Sequence, residues 1–131
     1  MIALFLGKFQ PPHLGHVLTL MKLYPQYDEI LIGVSDYGPQ VMEYKQIERI
    51  FNAVFRHLKK YRVIPVEGSV TENTIYPFLA TIDYDVIVTA NKKTYNTLKK
   101  QNIETRYVRR SGGTWNSGTF LRKAMEIERK I

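Results

Sequence analysis

Strand-length apolar runs alternating with helix-length segments constrain this chain more than any other feature. "IALFL" (2–6), "EILIGVS" (29–35), "RVIPVE" (62–67) and "YDVIVTA" (84–90) read as strands, and "ETRYVRR" (104–110) as a fifth. Residues 14–24 place Leu14, Val17, Leu18, Met21 and Leu23 at mostly helical spacing until Pro25 stops the helix. Residues 43–61 predict a long amphipathic helix with Ile47, Ile50, Phe51, Val54, Phe55 and Leu58 in one stripe. A short or broken helix is predicted over 72–82, another over 91–102, and a last one from about Ser117 to the C-terminus. Strands joined by helices pair in parallel, because parallel neighbours need a crossover. Right-handed crossovers put helices on both faces. The expected fold is therefore a single doubly wound α/β domain, residues 1–131, around a five-stranded parallel sheet. Pro65 suggests an edge position for the third strand, since proline cannot donate to a ladder.

Ligands of such sheets bind beyond the carboxyl ends of the strands, where strand order reverses. The loop in "LGKFQPPHLGH" (6–16) follows the first strand and so lies in that region. Gly7 has no Cβ and permits close backbone approach, while Pro11 and Pro12 stiffen the path into the helix. Gly15 stands at the start of that helix, where free N–H groups and the helix dipole favour an anion. His13, His16 and Lys8 can add N–H donors to the same place. The set describes a cradle for phosphate. The plainer reading, that His16 only caps or packs the first helical turn, stands beside it. A zinc site is disfavoured: a third protein ligand is needed, cysteine is absent, and His57 lies among basic residues of the long helix.

A second donor set lies about a hundred residues downstream. "WNSGTFLRKAM" (115–125) places Ser117 and Thr119 at a helix start, with Gly118 between them and Arg122 about one turn in. Ser or Thr there is first of all a helix cap. The glycine and the arginine add N–H and guanidinium donors suited to phosphate oxygens.

Nineteen basic against twelve acidic residues give a net charge of +7, which suits an anionic partner. No apolar stretch has the length to cross a membrane, and the N-terminus lacks the basic region and cleavage site of a secretory signal. No membrane partner is expected. The cysteine-free composition fits a reducing cytoplasm.

"GKFQPPHLGH" resembles the H-x-G-H motif of the nucleotidyltransferase superfamily, and "SGTFLR" resembles its C-terminal motif. The resemblance implies a Rossmann-like fold and an enzyme that couples a nucleoside triphosphate to a phosphorylated acceptor with release of pyrophosphate. The G-K-F-Q-P stretch and S-G-T with its arginine look most like nicotinamide-mononucleotide adenylyltransferases, with ATP as donor. The alternatives are CTP as donor in a cytidylyltransferase, or phosphopantetheine or FMN as acceptor. "IERIF" (47–51) and, more loosely, "VTAN" (88–91) resemble further stretches of the nicotinamide branch.

On that resemblance His16 meets the α-phosphate and the transition state, and His13 a neighbouring phosphate. Lys8 and Arg122 neutralise the triphosphate. Ser117, Gly118 and Thr119 bind it at the second helix start, and Gly7, Phe9 and Gly15 let backbone approach the nucleotide. Mg²⁺ is expected with the triphosphate, held mainly by substrate and water rather than by protein ligands. Asn91 either contacts the base or caps its helix. Asp36 and Trp115 are candidates for the acceptor. Family members self-associate through such domains, so a homo-oligomer is an expectation. The rival class is a binding module: a retired nucleotide sensor, or a nucleic-acid surface built on Lys59, Lys60, Arg62, Lys92, Lys93, Lys99 and Lys100. No nucleic-acid recognition motif is present, which disfavours the latter.

Overall fold

The central strands are apolar along most of their length because both their faces are covered. In the computed structural model, which describes residues 1–36, 38 and 40–109, β1 (Ile2–Gly7), β2 (Glu29–Ser35) and β4 (Val86–Thr89) fill the middle of one parallel sheet. β3 (Tyr61–Val66) and β5 (Thr105–Tyr107) form its edges, in the order β3-β2-β1-β4-β5. The edge strands are mostly partly buried or exposed, with one buried residue each, whereas Val86–Thr89 is buried at every residue. Pro65 lies in the edge strand β3 opposite Val34, as its missing donor requires.

Ala3, Phe5, Ile30, Ile32, Val86 and Val88 form one core with Leu20 and Leu23 of α1 (Leu14–Leu23) and with Ile47 and Phe51 of α2 (Tyr44–Val54). On the other face, Leu4, Leu31 and Ile87 pack with Ile75, with Leu79 of α3 (Tyr76–Leu79) and with Leu98 of α4 (Lys92–Lys100). Helices thus cover both faces, and the doubly wound expectation holds. Full burial of one such side chain contributes roughly 1.5–3 kcal/mol, so the two clusters are the main source of stability.

Several boundaries move. The predicted helix over 43–61 ends at Val54, and residues 55–60 form turns before β3. Phe55 and Leu58 keep their place against the core without helical geometry, because Phe55 packs edge-on against Tyr61 at 5.7 Å. The Leu58 N–H donates to the Phe55 carbonyl, so the turn meets part of its own backbone demand. The segment predicted as a helix over 72–82 is helical only at Tyr76–Leu79. Before it, Thr74 and Ser69 exchange hydrogen bonds, Ser69 N–H to Thr74 Oγ1 and Thr74 N–H to the Ser69 carbonyl, and close a turn instead. Gly68 makes this turn with φ of +90°; a Cβ there would lie 2.3 Å from the Thr74 carbonyl oxygen. Among the described residues no helix is long and apolar enough to cross a membrane. The predicted last helix lies outside the described residues.

Candidate functional site

Strand order reverses between β1 and β4, and a two-lobed cleft opens above their carboxyl ends. The first lobe, about 290 Å³, is bounded by Gly7–Pro11, His13, His16 and Thr89–Asn91. The second, about 170 Å³, is bounded by Ser35, Gly68–Thr71, Ile75 and Thr94. Leu6, Gly7, Lys8, Thr89 and Asn91 line both and form the wall between them. Here the sheet brings together segments some eighty residues apart in the chain.

The start of α1 is closed by the two histidines. His13 is the N-cap, with extended backbone, and its Nδ1 accepts from the Gly15 N–H at 3.2 Å. His16 reaches back so that its Nδ1 accepts from the His13 N–H at 3.1 Å. Each imidazole therefore does the work that Ser and Glu side chains do in a capping box. The rings stack at 3.7 Å with 22° between their planes. A neutral ring whose Nδ1 accepts must carry its hydrogen on Nε2. Both rings are consequently Nε2–H tautomers in the neutral state, with the donor edge on the side away from the cap. The capping reading and the ligand reading use different nitrogens, so they do not compete. One expectation changes: the Gly15 N–H is directed at His13 Nδ1 rather than offered openly to an anion.

Phe9 sets the height of His16. Its ring is buried, packs edge-on against His16 at 4.7 Å and against Phe51 at 5.0 Å, and stacks on Phe5. Its φ of +54° turns the chain sharply after β1, a conformation costly for a bulky residue and maintained by this packing. Gly7 is required beneath it: an added Cβ would lie 2.6 Å from the Phe9 ring. Lys8 is exposed and lines both lobes.

Asn91 starts α4 across the cleft. Its Oδ1 accepts from the Thr94 N–H at 3.1 Å, and its own N–H donates to Thr89 Oγ1 at 3.1 Å. It is a helix cap that also lines both lobes. Asp36 follows β2 but lines neither lobe; its carbonyl accepts from the Gln40 amide. Trp115, Ser117, Gly118, Thr119 and Arg122 lie outside the described residues. Among the described residues no three His, Asp or Glu side chains gather as metal ligands, and no carboxylate lines either lobe.

Sequence reasoning missed the hydroxyl groups of the second lobe, Ser35, Ser69, Thr71, Thr89 and Thr94. A signal existed: Ser35 and Thr89 are the last residues of β2 and β4, and Ser69 follows β3 by three residues. Ser and Thr are too common in loops for that signal to stand alone.

No protein-family model matches the chain. Among curated proteins it is similar to the nicotinamide-nucleotide adenylyltransferase of Archaeoglobus fulgidus, 25% identical over 142 residues, 95% of this chain and 80% of the relative. A similar protein of the same name from Methanococcus aeolicus is 26% identical, with 94% of this chain and 76% of the relative covered. A shorter match, to the Pyrobaculum aerophilum protein of that name, is 48% identical over 33 residues. Among solved structures, a bifunctional NMN adenylyltransferase/ADP ribose pyrophosphatase from Francisella tularensis superposes with a TM-score of 0.73 at 15% identity. It matches 97% of this chain, which spans 42% of that protein's length. The α/β architecture is thus shared with that solved protein.

Proposed function

We propose that this chain is a nucleotidyltransferase that joins ATP to nicotinamide mononucleotide and releases pyrophosphate. The observation that carries the proposal is the histidine pair at the strand-order reversal: both Nδ1 atoms are committed to the helix start, and both residues line the first lobe, His16 half-buried and His13 buried. The names of the two relatives matched over most of this chain support the acceptor and weigh against CTP, FMN or phosphopantetheine chemistry.

The chemistry needs no base. An oxygen of the acceptor's phosphate, already an anion, attacks the α-phosphorus of ATP, and the bond from that phosphorus to the bridging oxygen of the β-phosphate breaks. What the reaction does need is fixed positive charge and hydrogen-bond donors where two anions meet and where pyrophosphate departs. In this reading the nucleotide occupies the first lobe, with His16 Nε2–H on the α-phosphate and His13 Nε2–H beside it. The acceptor occupies the hydroxyl-lined second lobe. Lys8, on the shared wall, neutralises charge on both sides. Gly7 keeps the floor low enough for backbone to approach the phosphates. Ser117, Thr119 and Arg122 are proposed as the second donor set on the triphosphate, through their match to the S-G-T-x-x-R pattern.

Mg²⁺ belongs to the same proposal. The cleft offers donors and no carboxylate, a set that suits an ion carried by phosphate oxygens and water rather than by side chains. When bound, the ion supplies charge neutralisation on the triphosphate. A cytoplasmic setting is proposed on the cysteine-free composition.

The test is pyrophosphate release from ATP or CTP against nicotinamide mononucleotide, FMN, phosphopantetheine and glycerol phosphate. Release with ATP only when nicotinamide mononucleotide is present is the expected result. Silence with every pair would leave a nucleotide-binding module in place of an enzyme.

A further inference from the structure

The fold divides the seven cations of the rival basic surface. Lys59, Lys60 and Arg62 lie at β3, one edge of the sheet, where Arg62 pairs with Glu29 at 3.0 Å. Lys92, Lys93, Lys99 and Lys100 lie on α4, which packs beside β5 at the opposite edge. Leu98 is buried in the core on that side, and all four lysines are exposed. Lys92 and Lys99 stand two turns apart in one row, about 10 Å along the axis, with Lys93 and Lys100 in the next row. Residues 91–109 hold six of the nineteen basic side chains and one acidic one, Glu104, so most of the net charge of +7 resides here. Among the described residues none of the six is ion-paired. Arg106 is otherwise engaged, its Nη1 donating to the Tyr27 hydroxyl at 2.9 Å.

Two tyrosines are set among the lysines. Lys92 Nζ lies 5.1 Å from the Tyr95 ring centroid and 4.8 Å from that of Tyr107, and Lys99 Nζ lies 5.8 Å from Tyr95. The rings are 6.0 Å apart, and Tyr107 is 40% exposed. Like charges crowded on one helix repel, and a polyanion laid across them removes that cost. We infer that this face of α4, with Tyr107 beside it, docks single-stranded nucleic acid without reading its sequence. The lysine rows neutralise phosphates, and the exposed ring gives a base a surface to stack on. Docking of this kind needs no recognition motif, so the lack of one does not count against it. An anionic membrane fits less well, because it asks for apolar side chains to insert. Apart from Tyr95, the one apolar side chain of α4 is the buried Leu98. A duplex fits less well too, since its bases are stacked on each other and cannot reach Tyr107. Strand binding here does not depend on the transfer reaction.

The experiment follows a fluorescent single-stranded oligothymidylate by anisotropy as the chain is titrated in at several KCl concentrations. Four neutralised phosphates predict a plot of log affinity against log salt with a slope of about −3. The double variant Lys99→Gln/Lys100→Gln should bring that slope to about half. Tyr107→Ala should weaken binding about tenfold at fixed salt, and Tyr107→Leu, which keeps the bulk without the π face, should lose as much. His16→Ala, altered in the cleft, should bind the strand as the wild type does. A duplex of the same length and phosphatidylserine vesicles should both bind more weakly than the strand. Absence of strand binding, a slope unmoved in the lysine variant, or wild-type affinity in Tyr107→Leu would each overturn the assignment. So would a loss in His16→Ala as large as in the lysine variant, or tighter binding to duplex or vesicles.

Discussion

Two helices begin at the rim of the cleft, and their caps are made of different chemistry. At α4, Asn91 accepts from the Thr94 N–H through Oδ1, a common solution at a helix start. At α1, two imidazoles accept through Nδ1 from backbone N–H groups. The carboxamide is a small cap. An imidazole is a larger one with a second nitrogen that can carry either a donor hydrogen or a charge. The two starts also differ in their surroundings. α4 opens on Lys92 and Lys93, against the preference of the helix dipole, and Lys92 Nζ lies 5.1 Å and 4.8 Å from the ring centroids of Tyr95 and Tyr107. α1 opens on the imidazole stack, which rests on the Phe9 ring. The same local requirement, an acceptor for the first N–H groups, is met at α4 by a carboxamide and at α1 by rings that carry a second nitrogen.

The two caps should differ most in their response to substitution at His16. Asparagine there retains an acceptor near the position of Nδ1 and removes the Nε2–H. His16→Asn should lower turnover by about 10²–10³, the usual loss for one transition-state donor, with the thermal midpoint nearly unchanged. His16→Ala should show the same kinetic loss and about 1 kcal/mol less stability in urea titration, because the cap goes as well. Near-normal turnover in both variants would leave His16 a cap and nothing more.

Gly7→Ala comes next. A methyl group 2.6 Å from the Phe9 ring forces either the ring or the strand end to move. Overpacking of this kind costs about 1–3 kcal/mol, and His16 rides on the same ring, so stability and turnover should fall together. Stability at the wild-type level would show that Phe9 has room to shift.

The smallest effect is expected at Asn91. Asn91→Ala should cost about 1 kcal/mol in denaturant unfolding. Asn91→Asp keeps the accepting oxygen and suits the helix dipole, so stability should hold, but it adds a negative charge to the wall of both lobes. ATP affinity, measured by calorimetry, should therefore weaken in the aspartate variant while the fold stays intact. Equal ATP affinity in Asn91→Asp and wild type would place the phosphates away from α4.

Much of this molecule can be read from short windows of its chain. Phe5, Leu31 and Val88 sit in runs that are apolar at every step, and such runs read as strands buried on both sides. Pro65 betrays an edge, and Asn91 before "KKTYNTLKK" announces a cap. The histidines three apart fall at the start of α1 and line the first lobe. Helix lengths are less legible. Phe55 and Leu58 continue the stripe of α2 in pattern, but their burial is supplied by Tyr61 and the α1 side of the core after helical geometry has ended.

Periodicity and cap chemistry depend on neighbours within about four residues, so the α/β class, the parallel pairing and the place of the first loop are legible in the chain's residues alone. Hydropathy does not encode which strand lies beside which. Only the tertiary structure, by seating β4 against β1, brought Thr89 and Asn91 to Gly7 and Lys8 and so built one cleft from distant strand ends. It also decided which imidazole nitrogens serve the helix, and it joined Gln10 to Met42 across thirty-two residues, a contact no local pattern specifies.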